Sequence, residues 1–296
     1  MSFMQNIPDF LAIGHVTRDL HADGSFSVGG AVTFATCCAS RLGLSAGMVT
    51  SADPEIALQL PNLLPDVALA VRPSQSTTTY ANRYSNGVRE RFCLVQSEPL
   101  SIVDIPQQWF SAPIVLFGVQ AQEIGADIIL RYPRQPATLL AAIPQGWLGS
   151  PDATGYVQPR LWQEIERVLP ALDVLIVSRE DLLPFSRDAQ EGSAGLLSRW
   201  SQLVPCLIAT DGSHGATLFQ HGSKQHFPAY LTHEIDPTGA GDVFTAAFLT
   251  HIHRYRNPEQ AIDFANCAAS FAVEQPGLQG IPTLAMVKQR WNSYNQ

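Results

Sequence analysis

Charge is scarce in this chain. Of its 296 residues only 15% are Asp, Glu, Lys or Arg, and the basic side is the thinner, 18 against 26, for a formal net charge of −8. That balance makes nucleic acid a poor partner and provides no basic anchoring surface. No run of about 18 apolar residues occurs, so no membrane span is expected. Met1 to Asn6 have no basic n-region and no signal-like apolar core. Cysteine is sparse as well: five, an odd number, none with CxxC spacing. Cys37 and Cys38 lie in one Ala-rich apolar segment and Cys267 in another. They read as reduced, mostly buried small residues of a cytoplasmic protein, and neither a disulfide framework nor a metal cluster is expected. No internal repeat, low-complexity tract or linker interrupts the chain. With 46% hydrophobic residues there is enough apolar surface for a large core, and a single domain over 1–296 is expected.

Short apolar strands alternate with helical segments. Residues 10–16, 46–53, 114–118, 138–143 and 174–177 read as strands. Residues 31–42, 159–169 and 258–273 read as helices, and 54–65 as holding a short one. The pattern implies an α/β three-layer sandwich, a mostly parallel central sheet with helices on both faces. Thr77 to Tyr84 and Arg89 to Val95 flank Asn86-Gly87, a strong hairpin signal. With Ser25 to Val28 they would form a small, reduced β lid within about 20–30 and 72–96.

The chain is organised around Asp236-Pro237-Thr238-Gly239-Ala240-Gly241-Asp242. A strand and loop precede it, and an apolar segment with helical spacing follows. Small residues at a helix start leave backbone N–H groups uncovered, and with the helix dipole they make a natural anion site. A carboxylate aimed at a bound phosphate makes sense if it accepts a proton from the hydroxyl that attacks the phosphate. The plainer alternative is an ordinary glycine-rich turn with Asp242 as a first-turn acid. Upstream, Asp19 follows the first strand at the edge where open α/β sheets place ligands, and Gly29-Gly30 heads a helix. A carboxylate accepts from two vicinal hydroxyls, which suits sugar recognition. No GxxxxGK[ST] loop is present.

Asp236 to Asp242 resembles the C-terminal signature of the ribokinase-like (PfkB) sugar kinases. The resemblance implies a catalytic base at Asp242 and an anion hole at Gly239, Ala240 and Gly241. It extends to Asp19, Gly29 and Gly30 as sugar-binding residues, to Asn82 and Arg83 on the hairpin, and to Glu123 after the strand at 114–118. Thr210, Gly212 and Gly215 match the family's Thr-x-Gly-x-x-Gly on the nucleotide side, and Asn266 matches a position bordering the adenine. Where the family commonly has Asn-x-x-Glu, this chain has Ser178 and Asp181; Ser178 fits a helix cap, and Asp181 is placed to act on Mg²⁺ through water. The family often has Asn where Phe34 stands, and a subset has Asp and Arg where Ile143 and Gly149 stand. The implied activity is ATP- and Mg²⁺-dependent phosphorylation of a small polyol, a myo-inositol-like cyclitol or a ribose- or fructose-like sugar. A nucleoside kinase, with Phe34, Tyr80 and Tyr84 forming a slot for the base, and a non-catalytic binding protein on the same fold are the alternatives. A reduced lid implies a monomer or a weak homodimer.

Overall fold

Apolar runs without polar alternation suit strands that are covered on both faces, and such strands form the centre of this molecule. The computed structural model describes residues 6–85, 88–187 and 192–294. The first third contains β1 (Phe10–Ile13), β2 (Thr17–Leu20), β3 (Phe26–Gly29), α1 (Ala31–Arg41), β4 (Ala46–Ala52), α2 (Pro54–Leu63), β5 (Val67–Pro73), β6 (Thr78–Ser85) and β7 (Val88–Val95). The middle holds β8 (Ile114–Gly118), α3 (Ala126–Leu130), β9 (Leu139–Ile143), β10 (Gly149–Pro151), β11 (Val157–Pro159), α4 (Ile165–Val168), β12 (Val174–Ser178) and α5 (Arg179–Leu182). The last third holds α6 (Gly192–Trp200), β13 (Cys206–Thr210), β14 (Ala216–Gln220), β15 (Ser223–Phe227), α7 (Ala240–Tyr255), α8 (Pro258–Ala272) and α9 (Leu284–Tyr294).

The nine-stranded sheet has the order β15-β14-β13-β12-β9-β8-β1-β4-β5. From β13 to β5 every neighbouring pair is parallel, and β14 and β15 are added antiparallel. Alternate residues feed two cores. Phe10, Ala12, Ile114, Leu116 and Ile176 pack with α1, α7 and α8 on one face. Leu11, Ile13, Val115, Phe117 and Leu175 pack with α3, α4 and α6 on the other. Each fully buried side chain of this size contributes about 1.5–3 kcal/mol, so both faces fix the register of the sheet. The strand order reverses between β1 and β8, and the crevice at their carboxyl ends is where such a sheet places a ligand.

A separate four-stranded sheet, β3-β2-β6-β7, starts from that crevice. It pairs β2 with β3 and β6 with β7 antiparallel, and β2 with β6 parallel. The lid therefore has a strand the sequence reading left out: Asp19 lies within β2, with β3 folding back on it. The Asn86-Gly87 turn lies outside the described residues. The helix expected over 159–169 is shorter. Pro159 pairs with Gly149, and the N–H groups of Arg160 and Trp162 donate to Leu148 and Trp147 at 2.9 and 2.7 Å. With the backbone committed there, only Ile165–Val168 is α-helical.

The five cysteines are all buried and unpaired, and burial pushes the thiols of Cys206 and Cys267 up to about 12. Among the described residues no helix is long and apolar enough to cross a membrane.

Candidate active site

Gly239 is the N-cap of α7, with a left-handed backbone at φ 79°. A side chain here would be strained for that reason alone, and a Cβ would also lie 2.2 Å from the Phe34 ring of α1. Phe34 is only 4% exposed, so the ring is a fixed wall behind the turn. Asp236 holds the loop in place, accepting from Thr238 N at 3.0 Å and from Gly277 N at 3.1 Å. Ala240 N–H turns back to Pro237 O at 3.2 Å. Gly241 faces open space, and its N–H belongs to the first helical turn, where no intrahelical acceptor exists.

Asp242, in that first turn, sits in a recess. Part of its surface still meets solvent, but burial, reinforced by the charges of Asp181 and Asp19, pushes its carboxyl up to about 7, against an opposing pull from Arg91. The groups that shift Asp242 come from three elements: β2, α5 and β7. On β2, Asp19 accepts from Thr17 Oγ1 at 3.2 Å, and its Oδ2 lies 2.1 Å from where a Cβ on Gly29 would stand. A side chain at position 29 would displace this carboxylate. Gly30 caps α1 directly after it.

Asp181 lies in the first turn of α5, next to Ser178, whose hydroxyl caps that helix by accepting from Glu180 N at 3.2 Å. Its carboxylate accepts from the Gln145 amide at 3.4 Å. Among the described residues no group of three or more His, Cys, Asp or Glu is arranged around a metal. A single half-buried carboxylate is nonetheless the donor set that Mg²⁺ takes when water and substrate phosphates complete its shell, so the residues present fit Mg²⁺ but not a closed protein cage.

Two expected contacts have other jobs. Glu123 is 0% exposed. Its oxygens accept from the N–H groups of His15 at 3.0 Å, Gln120 at 2.9 and 3.0 Å, and Ala121 at 2.7 Å. It pins the ends of β1 and β8 together and is shut away from any acceptor. Asn266 is 6% exposed, and its amide donates to Phe227 O and Pro228 O at 3.4 and 3.0 Å. It anchors the end of β15 and does not face a base. Gly215 backs onto the same stretch, a Cβ there lying 2.1 Å from Phe227 O. Thr210 ends β13 beside Ser178, and Gly212 begins the turn that follows. Asn82 is exposed on β6; the Arg83 side chain lies outside the described residues.

Sequence reasoning did not single out Arg91 or Gln120. Strand alternation was the available signal: Arg91 lies opposite Asn82 in β7, so the two side chains share a face. The Arg91 guanidinium lies 3.8 Å over the Tyr80 ring and donates to Gln120 Oε1 at 3.1 Å.

Comparison with known proteins identifies the family and the fold. The family model of the pfkB family carbohydrate kinases matches residues 135–284, and the chain belongs to that family. A fructokinase-2 from Zea mays is 26% identical over 144 residues, 46% of this chain and 41% of that protein. A ribokinase from Staphylococcus aureus (strain COL) is 36% identical over 88 residues, 29% of each chain. The chain thus spans about two fifths of the first of these relatives, 41%. Among solved structures, a pyrophosphate-dependent kinase of the ribokinase family, complexed with a pyrophosphate analog and myo-inositol, superposes with a TM-score of 0.81 at 23% identity, over 95% of this chain and 99% of the other. Arabidopsis thaliana ribokinase with ribose and ATP gives a TM-score of 0.72 at 19% identity, over 97% and 99%. These likenesses establish the ribokinase-like fold.

Proposed function

We propose that this chain, read as one kinase domain over 1–296, transfers the γ-phosphoryl group of ATP to a hydroxyl of a small sugar or cyclitol. The observation that carries the reading is Asp242: a recessed carboxyl held near 7, one helical turn from N–H groups that suit an anion. A general base works best with a pKa near the working pH. Ionised, Asp242 takes the proton of the attacking hydroxyl, while the amides of Gly239 and Gly241, and Ala240 to the extent that its bond to Pro237 allows, stabilise charge on the phosphoryl. Asp19 and Asn82, on one face of the small sheet, grip other hydroxyls of the acceptor; Gly29 and Gly30 let them approach, and Arg83 remains a candidate on the same hairpin. Thr210, Gly212 and Gly215 lie on the donor side. Asp181 would hold Mg²⁺ through water, and the ion supplies charge neutralisation between donor phosphates when bound.

The nucleoside alternative is disfavoured. Phe34 packs on Gly239, and Tyr80 is 3% exposed, with its hydroxyl on Gln120 O at 2.6 Å, so neither lines an open slot. The donor has a second candidate. Asn266 is engaged away from any base, and a pyrophosphate-dependent kinase is among the similar folds; pyrophosphate is therefore the donor to run beside ATP. Five buried, unpaired thiols suit work in a reducing cytoplasm.

The test is product formation with Mg-ATP or Mg-pyrophosphate against a panel of sugars, cyclitols and nucleosides, with Asp242→Asn as control. Turnover on a sugar or cyclitol, lowered about 10²-fold or more in the variant, is the expected result. Turnover that survives the substitution removes Asp242 as the base; wild-type protein idle on the whole panel removes the kinase reading.

A further inference from the structure

Four charged or polar groups line up across the small sheet. Asp19 on β2 is opposite Tyr80 on β6, Tyr80 is opposite Cys93 on β7, and Asn82 is opposite Arg91. Residues directly opposite share a face, as do residues two apart on one strand, so Asp19, Tyr80, Asn82 and Arg91 all look the same way. Asp19 and Asn82 already belong to the acceptor side of the site. Among the described side chains, Arg91 is the cation on that face.

The contacts of Arg91 orient its guanidinium without cancelling its charge. The Tyr80 ring and the Gln120 carboxamide, at 3.8 and 3.1 Å, are both neutral. The Gln120 bond uses one of five N–H donors on a guanidinium. Both supports are themselves fixed: Tyr80 O–H donates to Gln120 O at 2.6 Å, and Gln120 N–H donates to the buried Glu123 carboxylate. Arg91 therefore hangs from the rigid carboxyl end of β8, over the crevice where the strand order reverses.

Its surroundings are acidic. Asp181 and Asp19 both act on Asp242, and Arg91 acts on it in the opposite sense. A phosphoryl group passing Asp242 brings further negative charge into a recess already rich in carboxylates. A rigid planar fork of donors is well suited to meet it.

We propose that Arg91 is a catalytic residue, carried by the small sheet over Asp242 to contact the transferring phosphoryl group. The proposal rests on the kinase reading above. In the step, the acceptor oxygen bonds to the γ-phosphorus and gives its proton to Asp242, while the bond from that phosphorus to the bridging oxygen breaks and its electron pair leaves with the donor. Arg91 gains and loses nothing; it donates hydrogen bonds that strengthen as charge builds on the phosphoryl oxygens.

The test compares wild type, Arg91→Gln, Arg91→Lys and Arg91→Ala with the acceptor found in the panel. Arg91→Gln should lower kcat about 10²-fold, with acceptor KM within about threefold, and Arg91→Lys should recover part of the loss. Added ethylguanidinium should raise the turnover of Arg91→Ala, which an unfolded or repacked variant would not show. A kcat within about threefold of wild type overturns the proposal, and so does a raised acceptor KM at unchanged kcat, which would make Arg91 a grip on the acceptor. If wild type turns over nothing, the kinase reading fails by itself. Arg91 is then read by calorimetry with inorganic phosphate: affinity at least about tenfold weaker in Arg91→Gln supports the anion contact, and equal affinity overturns it.

Discussion

Asp242 carries the charge that matters most, and its environment sets when that charge exists. Only the ionised carboxylate accepts a proton. With its carboxyl pushed up to about 7 by burial, Asp181 and Asp19, kcat/KM should fall tenfold per pH unit below about 7, well above the range of an ordinary aspartate. A pH–rate profile with its acid limb near 4 would contradict this. The same shift has a consequence for stability. The unfolded chain ionises Asp242 near 3.8 and the folded protein near 7. The folded state therefore holds its proton more tightly, and the stability this group contributes is full below 3.8 and is lost as pH rises towards 7. Asp242→Asn removes that loss. Its melting temperature should exceed that of wild type by roughly 2–4 °C at pH 8, with a smaller gain at pH 4; an equal gain at both would mean that the carboxyl ionises normally.

At the scale of the element, the turn into α7 separates two glycines that look alike in the sequence. Gly239 has a positive φ and faces the Phe34 ring, whereas a Cβ on Gly241 meets nothing within 4 Å. Gly239→Ala should cost about 1–3 kcal/mol of stability together with activity. Gly241→Ala should leave the melting temperature near or slightly above that of wild type, because alanine suits a helix better, yet lower turnover by covering the amide. Thermal melts beside rates test both, and a strongly destabilised Gly241→Ala would sink the distinction. The turn itself was legible, because small residues before an apolar helical period announce it. The role of Phe34 was not: in sequence it is a departure from a family pattern, and only the packing of α1 against α7 shows that it walls the turn. The backbone contacts of Glu123 and Asn266 were hidden for the same reason. A carboxylate or amide near a strand end has one appearance in sequence whether it faces a ligand or is buried under backbone N–H and C=O groups. Arg91 was within reach of strand alternation once the hairpin register is set, but its seat on Tyr80 and Gln120 is a tertiary fact.

For the whole molecule, the doubly covered sheet follows directly from its apolar runs, since continuous hydrophobic strands need cover on both faces. The small sheet was harder to read, as β2 and β3 are short and half-exposed and take their form from pairing rather than from burial. That sheet also bears on assembly. An open strand edge is a template for pairing with another chain. The β7 edge is already occupied: Cys93 N–H donates to Gly155 O at 2.8 Å, Phe92 bridges to Tyr156, and their rings lie 5.5 Å apart. The opposite edge, β3, is four residues long. In the large sheet, β5 ends at Pro73 and β15 is an exposed strand carrying Lys224, both features that discourage strand addition. We therefore expect a monomer, with at most weak self-association. Light scattering across a concentration series should return the mass of one chain down to the most dilute sample. A mass of two chains that persists on dilution would mean that a different surface, not a sheet edge, joins the copies.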